Sequence, residues 1–367
     1  MNYTITKTDK KPAYLQLYEQ LKGDIINGVY PLGVKMPSKR TLSAETNLSV
    51  IPIEHSYELL CEEGYVESRE RSGYFVSYRA EDFSPFSPLE EKKFFPHTES
   101  LNSKNDFPFS VLAKTMRKVL LDYGEEILTK SPNSGCAELK TAISSYLARS
   151  SGLKAKPEQI IIGSGAEYLY SLIVQLLGKE RLYAIEEPCY EKIQKVYKAN
   201  AVNFEKLTLG KEGIASSKLK NSKATVLHIT PFNSYPSGVT ANASKRQEYI
   251  RWAKERKGYI IEDNYDSELT VSRKNEDTVF SLWENGSVIY LNTFSKTIAP
   301  SIRVGYMVLP LNLLEEFQKK LGFYSCTVPS FEQYVLADLI QNGNFERHIN
   351  RIRRIKRKQL LGEDVTV

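Results

Sequence analysis

Few residues in this chain are suited to binding a metal or to forming cross-links. The four cysteines, Cys61, Cys136, Cys189 and Cys326, lie far apart and form no metal-ligand spacing. The four histidines, His55, His97, His228 and His348, include no pair at helical ligand spacing. No metal site is expected from either set. No apolar run approaches the ~18 residues that a membrane helix needs. The best, around Leu169–Leu177, is short and interrupted by Ser171 and Gln175. The first residues, MNYTITKTDKK, lack the apolar core of a secretory signal. Nor is there a strong excess of one charge, because a net +6 over 367 residues is mild and by itself specifies no nucleic-acid partner. Together these absences point to a cytoplasmic, metal-free protein that does not cross a membrane.

What the chain does have is the composition of a soluble globular protein, 41% hydrophobic and 26% charged, at a length that calls for two or more domains. Its most informative stretch is 259–307. Two apolar runs, Tyr259-Ile260-Ile261 and Val288-Ile289-Tyr290-Leu291, read as buried strands. The first ends in carboxylates, the second in Thr293-Phe294-Ser295-Lys296. In an open α/β sheet ligands sit just beyond the carboxyl ends of strands, so Asp263 and Lys296 are expected to face one crevice. A lysine held near other cations or partly desolvated becomes a neutral amine able to form a Schiff base. Arg303, shortly downstream, offers a planar fork suited to phosphate. A carboxylate, an amine and an anion clamp match the ring nitrogen, aldehyde and phosphate of pyridoxal phosphate.

Residues 12–78 form a unit of their own. Tyr14, Leu15, Tyr18, Leu21, Ile25 and Ile26 fall on one helical face, which Asn27-Gly28 ends. Ser38 is placed to cap a second helix through Glu45, and Asn47 breaks it. A third helix, about Pro52–Glu63, turns Ile53, Tyr57, Leu60 and Cys61 inward. Two short strands around a basic turn at Arg69–Gly73 follow. This order is that of a winged helix-turn-helix, whose third helix enters a major groove. The stretch resembles the winged-helix domain of the GntR superfamily of bacterial regulators. The resemblance is carried by Pro37-Ser38-Lys39-Arg40 with Leu42 and Ala44, by Tyr57-Glu58-Leu59-Leu60, by Glu63-Gly64-Tyr65 and by Ser72-Gly73-Tyr74-Phe75-Val76. It implies that Ser38, Lys39, Arg40, Ser49 and the wing residues Arg69 and Arg71 form the DNA-contacting set. The third helix departs from the superfamily pattern Ser-Arg-x-Thr: it opens Ser49-Val50-Ile51-Pro52, so Val50 stands where that family has an arginine. Acidic and basic residues nearly balance over residues 1–80, so nonspecific phosphate attraction should be weak.

Residues 80–106, rich in proline and serine, read as a linker. Beyond it comes a helix at about Val111–Tyr123, then an amphipathic helix bearing Leu139, Ile143 and Leu147. QIIIGSGAEYLYSLIVQLLG gives strand, glycine turn and helix, with an anion site in the backbone N–H groups at Gly163–Ala166. Further strands alternate with helices at about Glu191–Ala199 and Ser244–Arg256. That alternation implies an α/β fold with a doubly wound, mainly parallel sheet.

Residues 107–361 resemble fold-type I aminotransferases. With the winged helix in front, the chain resembles MocR-type transcriptional regulators. The resemblance implies that Lys296 is the Schiff-base lysine, that Asp263 pairs with the pyridine N–H and that Tyr265 donates to the phenolate oxygen. It also implies that Tyr190 flanks the ring and that Ser164, Gly165 and Ala166, with Ser295 and Arg303, hold the phosphate. Asn233 lies where aminotransferases have an Asn-Pro-x-Gly segment, here Asn233-Ser234-Tyr235-Pro236-Ser237-Gly238. Two functions are then open. One is a regulator, homodimeric and bound to duplex DNA, whose aminotransferase-like domain uses pyridoxal phosphate to sense an amine, an amino acid or the cofactor itself. The other is a working aminotransferase with an accessory N-terminal domain. The expected layout is a winged helix over 1–79, a linker over 80–106, a cofactor-binding large domain over 107–328, and over 329–367 a long helix and the truncated start of a small domain. Without the carboxylate-gripping arginine of such a domain, turnover is expected to be weak.

Overall fold

The computed structural model of the chain describes residues 3–5, 11–69, 72–78, 107–270 and 277–360. The chain divides into two compact units, Met1–Thr98 and Glu99–Val367. The linker expected over 80–106 lies outside the described residues, as does Arg71.

The smaller unit runs α1 (Ala13–Ile26), α2 (Lys39–Thr46), α3 (Val50–Glu62), β1 (Val66–Arg69) and β2 (Gly73–Val76). Leu17, Leu21 and Ile25 recur once per turn on α1 and are buried with Leu42 of α2 and Ile53, Tyr57 and Leu60 of α3. Cys61, expected inward, is only half-buried. The Ser38 side chain accepts from the Thr41 N–H and caps α2, and Asn47 ends that helix in the left-handed region at φ 55°. The Tyr57 hydroxyl donates to the Pro37 carbonyl at 2.5 Å, and its ring stacks on Tyr74 of the wing at 4.3 Å. One side chain of α3 thus fixes both the segment before α2 and the hairpin. The third helix starts at Val50, two residues before its expected beginning. Pro52 is accommodated in the first turn, where a backbone N–H has no intrahelical partner.

The larger unit runs α4 (Phe109–Tyr123), α5 (Ala137–Ser151), β3 (Ile160–Gly163), α6 (Ala166–Leu177), β4 (Tyr183–Glu187), α7 (Glu191–Ala199), β5 (Phe204–Gly210), β6 (Gly213–Ile214), α8 (Ser216–Asn221), β7 (Val226–Ile229), α9 (Ala243–Arg256) and β8 (Tyr259–Asp263). It continues with α10 (Val279–Leu282), β9 (Val288–Thr293), β10 (Gly305–Val308), α11 (Leu311–Leu321), α12 (Ser330–Gln341) and α13 (Asn344–Leu360). Eight strands form one sheet in the order β3-β10-β9-β8-β7-β4-β5-β6. The inner ladders β9-β8, β8-β7, β7-β4 and β4-β5 are parallel, whereas β10 runs antiparallel to both its neighbours and β6 antiparallel to β5. Side chains of β10 alternate as the pleat requires. Tyr306 and Val308 join the core containing α5 and α12, while Met307 joins the core containing α6 and α11. All six residues of β9 are buried, as a strand covered on both faces must be.

The register of β8 against β9 positions the site. Asp263, the last residue of β8, pairs with Leu291, so both strands deliver their following loops to the same edge of the sheet. Beyond Pro329 the expected long helix is instead two helices, α12 and α13. Gly343 between them adopts φ 69°, a conformation that ends a helix and that glycine takes without strain.

Ile53 is fully buried where the three helices of the smaller unit meet. Ile53→Ala should cost about 2–5 kcal/mol. Urea unfolding followed by circular dichroism checks this. The transition belonging to the smaller unit should move to lower denaturant while that of the larger unit stays in place.

Candidate functional site

A cavity of about 360 Å³ opens at the carboxyl ends of β8 and β9, beside the start of α6. Asp263, Lys296, Tyr265, Ser295, Arg303, Tyr190 and Ala166 all line it. Seven residues drawn from four stretches of sequence are thus gathered around one space, as the strand-end argument requires.

Asp263 forms its floor and is only 2% exposed. A carboxylate so buried needs donors, and it has them. The Tyr170 hydroxyl donates to Oδ2, and the Tyr265 backbone N–H donates to Oδ1 at 3.2 Å. His228 of β7 places Nε2 3.8 Å from Oδ2, while its Nδ1 bonds the Tyr197 hydroxyl at 2.7 Å. That Nε2 has no hydrogen-bond partner among the described residues. Burial, then the adjacent Asp263, push the Tyr170 phenol well above its ordinary pKa, so it stays a donor.

The Lys296 side chain is exposed and lines the cavity. No side chain among the described residues pairs with its amine. The Tyr265 hydroxyl donates to the Asn233 carbonyl at 3.1 Å, and burial raises its pKa. Asn233 itself does not line the cavity: its Nδ2 donates to Asp266 at 3.2 Å, and its backbone sits at φ 50°. Next to it, the Ser234 hydroxyl donates to Glu186 at 2.6 Å, and full burial pushes the Glu186 carboxyl up to about 8.

The anion end is built by the Gly163–Ala166 turn and the loop after β9. Ser164 does not line the cavity, and its backbone N–H donates to Thr327 Oγ1 at 3.0 Å. Gly165 has φ 90°, and a Cβ there would lie 2.9 Å from an Arg303 guanidinium nitrogen. The backbone conformation favours glycine, and a side chain there would also push the guanidinium aside. The Ser295 hydroxyl donates to the Ile302 carbonyl at 2.7 Å, closing the loop that presents Arg303. Arg303 bonds Glu167 at 2.7 Å, and Lys192 bonds the other oxygen of the same carboxylate at 2.6 Å. Burial opposes the Glu167 charge, but hydrogen bonds from Lys192, from its own helix-start N–H and from Arg303 outweigh it and hold the carboxyl at about 2. Glu167, Tyr170 and His228 are absent from the sequence expectation. The nearest signal was that Glu167 and Tyr170 lie three apart, on one face of a helix that opens at a glycine turn.

In the smaller unit, Arg40 is exposed and has no side-chain partner among the described residues. Ser38 spends its hydroxyl on the α2 cap. Lys39 pairs with Glu54 of α3, and Arg69 bonds Glu67 at 2.5 Å while lying 4.4 Å from the Phe75 ring. Ser49 occupies the N-cap position of α3, exposed and without a capping bond.

Comparison with known proteins agrees with both halves of this description. A family model described as aminotransferase class I and II matches residues 100–364, and one for bacterial regulatory proteins of the gntR family matches residues 13–76. The HTH-type transcriptional regulator YdeL of Bacillus subtilis is 33% identical over 97% of this chain and 79% of its own length. The probable rhizopine catabolism regulatory protein MocR of Rhizobium meliloti is 26% identical over 94% of this chain and 75% of its own. Among solved structures, a kynurenine aminotransferase of Pyrococcus horikoshii, in complex with PMP, superposes with a TM-score of 0.60 at 26% identity. That match covers 68% of this chain and 64% of the other, so the chain spans less than two thirds of that enzyme.

Glu167 competes with any anion for Arg303 and Lys192. Glu167→Gln should therefore raise affinity for inorganic phosphate, on the order of threefold to tenfold for removal of one nearby, partly screened charge. Thermal unfolding across a phosphate series reads this directly, since a ligand of the folded state raises the midpoint. The variant should gain more stability than the parent at each concentration, and Gly165→Ala should gain less.

Proposed function

The chain belongs to the class I and II aminotransferase family and, along nearly its whole length, to the HTH-type transcriptional regulators of the MocR kind; from that premise we propose that its larger unit holds pyridoxal 5'-phosphate, and that the cofactor, or an amine or amino acid meeting it there, sets how the smaller unit occupies duplex DNA. The observation that carries this reading is the donor set around one cavity: a buried carboxylate, a lysine amine with no partner among the described residues, and an arginine close against a glycine of positive φ. These fit the three handles of the cofactor.

When bound, pyridoxal phosphate supplies an electrophilic aldehyde on an electron-withdrawing ring. Lys296 provides the amine for that aldehyde. Asp263 accepts the ring N–H and keeps it protonated, because a negative carboxylate at that position favours the charged ring. The Tyr170 hydroxyl and Tyr265 N–H hold this carboxylate in place. The Tyr265 hydroxyl would turn from the Asn233 carbonyl to donate to the ring oxygen, and Tyr190 would flank the ring. Arg303, Ser295 and the Gly165–Ala166 backbone take the phosphate, with Ser164 shaping the turn from outside. Asn233 contributes through Tyr265 and Asp266, the two groups it bonds.

On this reading residues 1–79 bind DNA, 80–106 link, 107–328 bind the cofactor, and 329–367 begin a small domain. The protein acts in the cytoplasm as a homodimer, placing two recognition helices on paired half-sites. Exposed Phe109, Leu121, Leu128 and Phe323 supply apolar surface for a contact between larger units.

Purified protein should be yellow after loading with pyridoxal phosphate, and borohydride should fix the cofactor to the peptide carrying Lys296. Lys296→Ala should abolish that fixation, and a variant that kept the same reducible chromophore would overturn the assignment. For DNA, Arg40→Ala should weaken specific binding by about 1–3 kcal/mol in a mobility-shift titration if it reads a base.

A further inference from the structure

The first turn of α3 presents two apolar side chains to solvent. Val50 is 44% exposed and Ile51 is 65% exposed, although the same helix buries Ile53, Tyr57 and Leu60 completely. Exposing two β-branched residues side by side has no packing role within the unit. They lie at the start of the helix that follows the turn of a gntR-family helix-turn-helix, where side chains meet base edges in the major groove.

The chemistry of this turn is one-sided. No arginine or lysine occurs anywhere in α3. Its solvent face continues with His55 and with Glu54 and Glu58, and a phosphate backbone would repel the two carboxylates. The Glu54 carboxylate is held by Lys39 from α2, which offsets that repulsion close to the first turn. Pro52 removes one of the free N–H groups that a helix start offers to phosphate. Val50 and Ile51 themselves neither donate nor accept hydrogen bonds. The one apolar feature on a major-groove base edge is the C5-methyl of thymine.

We propose that Val50 and Ile51 read sequence by burying thymine methyl groups, so that the operator is fixed by thymines at the positions facing the first turn of α3. Arg40 supplies affinity without choosing these bases. The inference rests on the DNA-binding reading above and adds the base and the atoms that are recognised.

The test uses the full-length protein and a pool of randomised duplexes. Selection for binding should enrich sequences with thymine at one or two fixed positions per half-site. Each such thymine is then replaced by uracil, which pairs identically and lacks only the methyl. Affinity should fall by roughly fourfold per methyl, the value of burying one such carbon. Ile51→Ala, exposed and safe for folding, should bind the thymine and uracil duplexes more nearly alike, and Val50→Ala with Ile51→Ala should bind them equally. Arg40→Ala should weaken both duplexes by the same factor. Unchanged affinity of the parent protein for uracil duplexes would overturn the proposal, as would a thymine preference that survives in the double variant. Enrichment of no sequence would overturn the DNA-binding reading itself, and the inference with it.

Discussion

Most of the larger unit's chemistry depends on keeping one charge buried at the end of β8. Asp263 is sealed beneath the cavity, and such a carboxylate is tolerated only because a phenol from α6 and a backbone N–H from its own loop both donate to it. Those two bonds tie the glycine-turn helix to the sheet at the point where β8 and β9 end in register. The same constraint explains the aromatic and imidazole side chains gathered behind the carboxylate, where Tyr197 holds His228 and His228 approaches Asp263. A cofactor ring nitrogen placed on this floor would meet a negative charge that water screens little.

At the opposite end of the cavity the electrostatics are of another kind. Arg303 and Lys192 are each about half exposed and share the carboxylate of Glu167. Exposed pairs of this sort are individually weak, so the arrangement adjusts anion affinity more than it stabilises the fold. An incoming phosphate must share Arg303 with Glu167, which moderates its hold. A protein that reports on a cofactor or on an amine has a use for moderate affinity, because a site filled at every concentration reports nothing.

The strand ends were readable because buried strands announce themselves by apolar runs, and ligands in this architecture sit where those runs stop. Asp263, Lys296, Tyr265 and Arg303 come from one continuous stretch and were legible together. Glu167 was not, since its partner Arg303 lies 136 positions away, nor was Tyr170, 93 positions from Asp263. A tyrosine in an apolar helix looks like packing until its hydroxyl has an acceptor. Ser164 and Asn233 show the converse: each stands in the expected motif, yet neither lines the cavity, the Ser164 N–H being bonded to Thr327 and the Asn233 amide to Asp266. The break between α12 and α13 was hidden because apolar residues run on through it, with Leu339 and Ile340 before Gly343 and Phe345 and Ile349 after it, all buried.

We propose that chemistry at the larger unit governs DNA occupancy by the smaller one. The most direct measurement is the affinity of the full-length protein for a selected duplex, taken at fixed salt with and without pyridoxal phosphate, in the parent and in Lys296→Ala. The account predicts that loading the cofactor shifts the parent's affinity and leaves that of Lys296→Ala unchanged. Equal affinities for the loaded and unloaded parent, with the amino acids tested adding no effect, would contradict it.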